Sequence, residues 1–353
     1  MYPRELNYRM PAEWEEHERT FLSWPVQASM CHPDDYEAVC KNYYAELVKA
    51  IAEFEPVTVI VNPDDVESVL DQLEEADAHM GHPIEILTIE HNDAWLRDNG
   101  PTFIINDNGE IAGISWRFNA WGGKYSPWEQ DDALAGKLLA HYDIKQFDAA
   151  FILEGGSIHA DGEGTLLTTE ECLLNENRNV NISKEQLEQQ LQQYLNVDKV
   201  IWLKNGLNGD ETDGHIDNIA CFAAPGKVIL QVCDDKDDPN YQITQDALQV
   251  LGNTVDAKGR KIEVIKIKQP PKRCHNDERL TLSYLNFYFV NGGIILPVFG
   301  GDAVETDELA IKTLQELYPE KKIRTVDGMA IIKEGGNVHC TTQQMPAVSN
   351  MQA

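Results

Sequence analysis

One unit recurs along the chain: an amphipathic helix, a short apolar strand, a Gly-rich polar corner, then two apolar strands around a turn. Five such units can be read. The first has a helix over 64–79 (DDVESVLDQLEEADAH), the strand IEILTI from 84, the corner RDNG at 97–100 and the hairpin TFIINDNGEIAGISW from 102, turning at DNG. The second has a helix over 130–141 and a hairpin in which DGEG joins SIHA to TLLTT. The third opens at Ser183, where Gln186 completes a capping box, and continues through KVIWLK, the corner GDETDGH and a hairpin turning at APGK. The fourth has a helix over 240–251, KIEVIKIK and NFYFVNGGIILPVF; the fifth has TDELAIKTLQEL, KIRTV, the corner EGGN and VHCTTQQMP.

A single unit of this kind cannot cover its own apolar face, so units with such a period stack against one another. The fifth hairpin stops halfway. The apolar string TFLSWP at 20–25, near the other end of the chain, is free to complete it, and that pairing closes a ring. The pattern predicts one α/β domain over residues 1–353, with five units about a pseudo-fivefold axis and corners converging at one mouth. Two corners match almost residue by residue, EGGSIH at 154–159 and EGGNVH at 334–339. The alternative, a doubly wound parallel sheet in two domains, needs a polar linker that the sequence does not contain.

Converging corners collect Trp95, Arg97, Asp98, Glu154, His215, Asp217, His339 and Cys340. Several carboxylates in one pocket are unfavourable unless they are protonated, bound to metal or facing a cation. A guanidinium answers this best, because its five planar N–H donors pair with Asp98, Glu154 and Asp217. Trp95 and Trp121 can cover its faces, and its charge favours the thiolate of Cys340. Two glycines after Glu154 permit close backbone approach at a crowded mouth.

Charge supports a cationic ligand. With 59 acidic and 29 basic side chains the net charge is −30, and no Lys/Arg cluster is left to neutralise a nucleic-acid backbone. No apolar run reaches the ~18 residues of a membrane span, and the N-terminal stretch lacks a signal-peptide pattern, so a cytoplasmic location is expected. Seven cysteines without a CxxC pair argue against disulfides and zinc knuckles. Cys340 is the expected reactive thiol; Cys31, Cys40, Cys172, Cys221, Cys233 and Cys274 are expected to be buried and inert. The run DDKDDP at 234–239 reads as a solvated loop.

The strings NDAWLRDNGPTF, FNAWGGKY, LEGGSIHADGEGTLLTTEECLL, TDGHIDNIACFAAPG and EGGNVHCTTQQMP resemble the agmatine deiminases, close to the bacterial peptidylarginine deiminases within the guanidine-modifying pentein superfamily. The resemblance spans nearly the whole chain. It implies a five-bladed α/β propeller, conversion of agmatine and water to N-carbamoylputrescine and ammonia, and a place in putrescine supply. It also implies that Cys340 is the nucleophile, His215 the general acid and base, and Asp98, Glu154 and Asp217 the guanidinium-binding carboxylates. Trp95, Trp121 and Gly336 are the candidate substrate-binding residues. No metal or organic cofactor is implied, and a homo-oligomer is allowed.

Segments 30–36 and 124–128 are expected at the entrance. An amino-acid substrate needs fixed basic groups for its α-carboxylate, and Arg97, read as one step along a strand from Asp98, is expected to point the other way. Three alternatives stay open: another guanidine or peptidylarginine deiminase, a metal-dependent hydrolase using His215, Asp217 and Glu154, and a guanidine-binding module. His159 and His339 are expected to make backbone hydrogen bonds.

Overall fold

Residues 1–77 and 81–348 are described by the structure, a computed structural model. The first three strands, β1 (His17–Ser23), β2 (Val57–Val61) and β3 (Ile84–Thr88), run parallel to one another. Then a single pattern repeats. β4 (Thr102–Ile105) and β5 (Ile111–Arg117) form an antiparallel pair, and β6 (Lys145–Ile152) joins β5 in parallel. The same pattern holds for β7 (Ile158–Ala160), β8 (Thr165–Thr169) and β9 (Lys199–Leu203), and for β10 (Ala220–Ala224), β11 (Lys227–Val232) and β12 (Glu263–Lys268).

A two-residue pair, β13 (Cys274–His275) with β14 (Glu278–Arg279), precedes the next sheet. That sheet is β15 (Tyr288–Val290), β16 (Gly293–Val298) and β17 (Lys322–Asp327). The last strand, β18 (Thr342–Pro346), returns to the first: Thr20 lies opposite Gln344 and Leu22 opposite Thr342, antiparallel. TFLSWP therefore does complete the final half-hairpin.

Parallel neighbours need a crossover, and here it is a helix in each sheet. Helices Glu129–His141, Lys184–Leu195, Pro239–Gly252 and Val304–Leu317 link β5 to β6, β8 to β9, β11 to β12 and β16 to β17. The Ser183 capping box with Gln186 is present. The helix predicted over 64–79 runs from Val66 to Asp77, and its residues 78 and 79 lie outside the described residues.

Two features of the unit differ from the sequence reading. Each strand placed ahead of a corner belongs to the sheet of the preceding hairpin, so sequence unit and sheet are out of phase by one hairpin. The helical stretch Tyr36–Ala52 and β2 were also missed, although they supply the crossover of the β18–β1–β2–β3 sheet. Among the described residues the strands fall into separate small sheets and no single parallel sheet joins them, which removes the doubly wound alternative.

Short helical turns or loops precede the antiparallel pairs, and these are the corners: Leu96–Asn99, Gly155–Ser157, Ile216–Asn218, the approach to β15, and Val338–Thr341. Asp238, within DDKDDP, is no solvated residue. It caps helix Pro239–Gly252, is 7% exposed and pairs with Arg279 through both carboxylate oxygens, which hold its carboxyl down at about 2 against the effect of burial. All seven cysteines are free, and Cys31 and Cys274 are exposed where burial was expected. Among the described residues no helix is long and apolar enough to cross a membrane.

Candidate functional site

The corners meet at Gly156. A Cβ built there would lie 2.7 Å from His215 Nδ1, 2.9 Å from Asp217 Oδ2 and 2.9 Å from Asp98 Oδ1, so three corners touch the space that only glycine leaves open. The Gly156 N–H donates to Asp98 Oδ1 at 2.9 Å. His215 Nδ1 is 3.8 Å from the same oxygen, and Cys340 Sγ is 3.6 Å from Asp217 Oδ2. Ligand atoms of Glu154, Cys172 and His215 lie within 4.8 Å of one another. Asp98, Glu154, His215, Asp217 and Cys340 are thus brought together as expected, all of them buried.

Four buried polar atoms of this group have no partner: Glu154 Oε2, Asp217 Oδ1 and both ring nitrogens of His215. Buried polar atoms are rarely left so, which marks a place for something that hydrogen-bonds. Burial opposes the charge on His215, but Asp98, Glu154 and Asp217 outweigh it and raise the imidazole. Burial together with Asp217 and Glu154 raises Asp98, against the pull of His215 and Trp121. Burial, Asp217 and Asp98 push the Cys340 thiol well up, so it stays protonated while the site is empty.

A cavity of about 610 Å³, open mouth included, leads down to Cys340 and is lined by Trp95, Asp98, Trp121 and Gly336. Gly336 is needed there, because a Cβ would stand 2.4 Å from Trp95 Cζ3. Trp121 lines the cavity and has a second contact there: its Nε1–H donates to Asp98 Oδ2 at 2.9 Å, so its edge holds a carboxylate. Asp93, Glu211 and Glu334 also line the cavity, and burial pushes Asp93 up to about 8. Segments 30–36 and 124–128 do reach the entrance: Met30, Cys31 and Tyr125 line it, and the Tyr125 hydroxyl donates to Glu211 Oε2 at 2.7 Å.

Three supporting residues were not legible. Arg178 is buried beneath the site, with Nε donating to Glu154 Oε1 at 2.6 Å and further N–H groups on Asp213 and on the Thr212 carbonyl. Asn286 is the fourth unit's contribution, which the sequence reading left blank. Its Nδ2 donates to Cys340 Sγ at 3.1 Å, and its Oδ1 accepts from the backbone N–H of His339 and Cys340. Its position just ahead of β15, equivalent to the other corners, was the available signal. Glu13 is the third, and nothing in PAEWEEHE distinguishes it from a solvated acidic run.

Arg97 points away from the cavity, for a different reason than expected. It lies on a helical turn, not a strand, and bonds the His339 carbonyl and Gln343. His159 accepts the Phe222 N–H, as expected, whereas the His339 ring is held by two carboxylates. As a metal site the group is poor. Glu154 and His215 are joined by Cys172 rather than Asp217, and the Arg178 guanidinium already neutralises Glu154.

Mixed α/β units whose corners deliver three carboxylates, an imidazole and a thiol to one buried point define a class, the guanidine-modifying hydrolases. Within it the chain belongs to the Porphyromonas-type peptidyl-arginine deiminase family, whose model matches residues 9–346. The agmatine deiminase of Pseudomonas aeruginosa is 45% identical over 375 residues, covering 98% of this chain and 97% of the relative. The agmatine deiminase of Enterococcus faecalis superposes with a TM-score of 0.90 at 39% identity over 98% of both chains. That of C. jejuni with substrate bound gives 0.87 at 30% identity, covering 97% of each.

Proposed function

We propose that this chain hydrolyses agmatine to N-carbamoylputrescine and ammonia, with Cys340 as nucleophile, His215 as acid and base, and Asp98, Glu154 and Asp217 binding the guanidinium. The observation that carries this is the set of unpartnered buried atoms around Gly156, beside the Cys340 sulfur. A guanidinium supplies N–H donors to the free oxygens of Glu154 and Asp217 and brings the positive charge that three carboxylates need.

Its arrival offsets Asp98 and Asp217, so Cys340 gives up its proton to water in the cavity and the thiolate attacks the guanidinium carbon. Imidazolium His215 protonates the departing nitrogen, which leaves as ammonia and closes an amidino-cysteine intermediate. Neutral His215 then takes a proton from an attacking water. The C–S bond breaks, the thiolate returns, and the remaining hydroxyl proton passes to solvent as the urea product forms. These steps use side chains and water.

Agmatine over arginine is favoured by the cavity lining, in which Asp93, Glu211 and Glu334 suit an ammonium and no Lys or Arg meets an α-carboxylate. The name of the Pseudomonas relative points the same way. The same reading takes the five three- or four-stranded sheets as blades of a five-bladed α/β propeller in one catalytic domain, supported by the β18–β1 pairing of the chain ends. It also takes the product to feed putrescine synthesis in the cytoplasm.

The test is ammonia release from agmatine, free arginine and an arginine peptide side by side, with and without chelator, for the natural chain and Cys340→Ala. Turnover of agmatine alone, indifferent to chelator and absent in Cys340→Ala, is expected. Silence on all three substrates, or loss with chelator, overturns the reading. Ammonia from Cys340→Ala removes the nucleophile assignment.

A further inference from the structure

Behind the site, on the side away from the cavity, four buried charged or titratable groups meet that the mechanism above does not use: Glu13, His159, Arg97 and His339. The His339 ring lies between two carboxylates, Nδ1 at 2.9 Å from Asp217 Oδ2 and Nε2 at 2.8 Å from Glu13 Oε1. We propose that Glu13 is a positioning residue for the deimination step: through an imidazolium at His339 it holds Asp217 as an aimed carboxylate, with one oxygen tied back and the other free for substrate. This rests on the deiminase reading above.

A neutral imidazole has one N–H, so one of its two carboxylate contacts would set lone pair against lone pair. An imidazolium donates to both. Burial and Arg97 oppose a charge on His339, yet Glu13 and Asp217 outweigh them and raise it. Burial likewise opposes ionisation of Glu13, but His339, His159 and Arg97 hold it well below the carboxylate range.

His159 Nδ1 accepts the Phe222 N–H at 3.3 Å, which leaves its Nε2 as the protonated nitrogen, 3.4 Å from Glu13 Oε2. Arg97 approaches Glu13 Oε1 at 3.5 Å and donates to the His339 carbonyl. The remaining neighbours, Tyr288, Cys221 and Cys340, are kept protonated by burial and carry no charge into the network. Asp217 Oδ2 is taken by His339 at 2.9 Å and the Cys340 thiol at 3.6 Å, and Oδ1 is the oxygen left without a partner. Removing the charge on Glu13 leaves His339 neutral, and the cation that remains on this side, Arg97, bonds the His339 carbonyl and Gln343 rather than Asp217, so the carboxylate that faces the guanidinium is more readily protonated.

Two variants and one spectroscopic reading test this. In the natural chain, ring 15N shifts should report His339 as imidazolium at pH 7, above the ordinary titration midpoint of histidine. In Glu13→Gln the ring should be neutral at that pH. Its KM for agmatine should rise about tenfold with kcat changed less than about threefold, and the acid limb of kcat/KM should move up by about one pH unit. His339→Asn keeps a donor toward Asp217 without the charge. It should reproduce the rise in KM and the shifted limb, and it carries the test if Glu13→Gln does not fold. A neutral His339 at pH 7 in the natural chain overturns the proposal. So does a folded Glu13→Gln with unchanged KM and profile, or one that loses kcat equally at every pH. Should the natural chain release no ammonia from agmatine, the deiminase reading falls, and the His339 shifts still decide whether the relay exists.

Discussion

Arg178 and Glu154 form an ion pair with no exposed side-chain surface on either partner, Nε to Oε1 at 2.6 Å. Arg178 is tied in turn to Asp213 and to the Thr212 carbonyl, so the carboxylate is held from a fixed base. Removing one partner of such a pair leaves the other charge buried and alone, which costs about 3–5 kcal/mol. Arg178→Gln should lower the melting temperature and reduce kcat/KM for agmatine at least about a hundredfold, read by thermal unfolding and ammonia release. Arg178→Lys keeps the charge but loses the planar fork, and should fall in between.

The empty site should contain a thiol, not a thiolate. Burial and the two aspartates push Cys340 up, and only a bound cation reverses that. Ultraviolet absorbance of the thiolate, taken as the difference from Cys340→Ala, should be absent at neutral pH and appear when a non-hydrolysable amidinium binds. A thiolate signal in the free protein at neutral pH would contradict this.

Asp93 sets a pH dependence of stability whose sign can be worked out. Its carboxyl rises from 3.8 to about 8 on folding, chiefly through burial. Between those values the folded state holds the proton and the unfolded state does not, so stability falls as pH rises through that window. Asp93→Asn should flatten the slope and melt higher than the natural chain at pH ~8, measured by unfolding across the range. Because Asp93 lines the cavity, the same variant should also raise KM for agmatine.

Glycines at the mouth are required by space, not by local flexibility alone. Gly336→Ala puts a methyl 2.4 Å from Trp95 Cζ3, and Gly156→Ala sets one among His215, Asp217 and Asp98. Both should fold, because the clashes are with side chains. Gly336→Ala should lose activity mainly through KM as Trp95 is displaced, and Gly156→Ala should lose kcat as well, since it separates the reacting groups. Kinetics of the two variants side by side check the difference.

Trp121 offers a finer discrimination. Its indole N–H on Asp98 is a hydrogen bond to a charged group, typically about 1.5–3 kcal/mol. Trp121→Phe keeps the aromatic wall and removes the donor, so kcat/KM should fall roughly tenfold or more. An unchanged value would return Trp121 to the role of a packing face.

The chain's own pattern determined the repeat, the turns and the pairing of its two ends, because helix and strand periodicity and DNG-type, APGK and NGG corners are local properties. It also placed Asp98, Glu154, His215, Asp217 and Cys340 at corners, since chemistry-bearing residues beside glycines stand out against apolar strands. Tertiary structure alone decided which strand joins which hairpin: β6 carries Lys145, Gln146 and Asp148 among its apolar residues, and pairing across a helical crossover leaves no local mark. It alone decided the supporting groups too. Arg178, Asn286 and Glu13 act across 24, 54 and 326 residues of separation, on Glu154, Cys340 and His339 respectively. In sequence each reads as an ordinary polar residue. Only packing removes the water around them and turns a lone glutamate in PAEWEEHE into the buried partner of an imidazole.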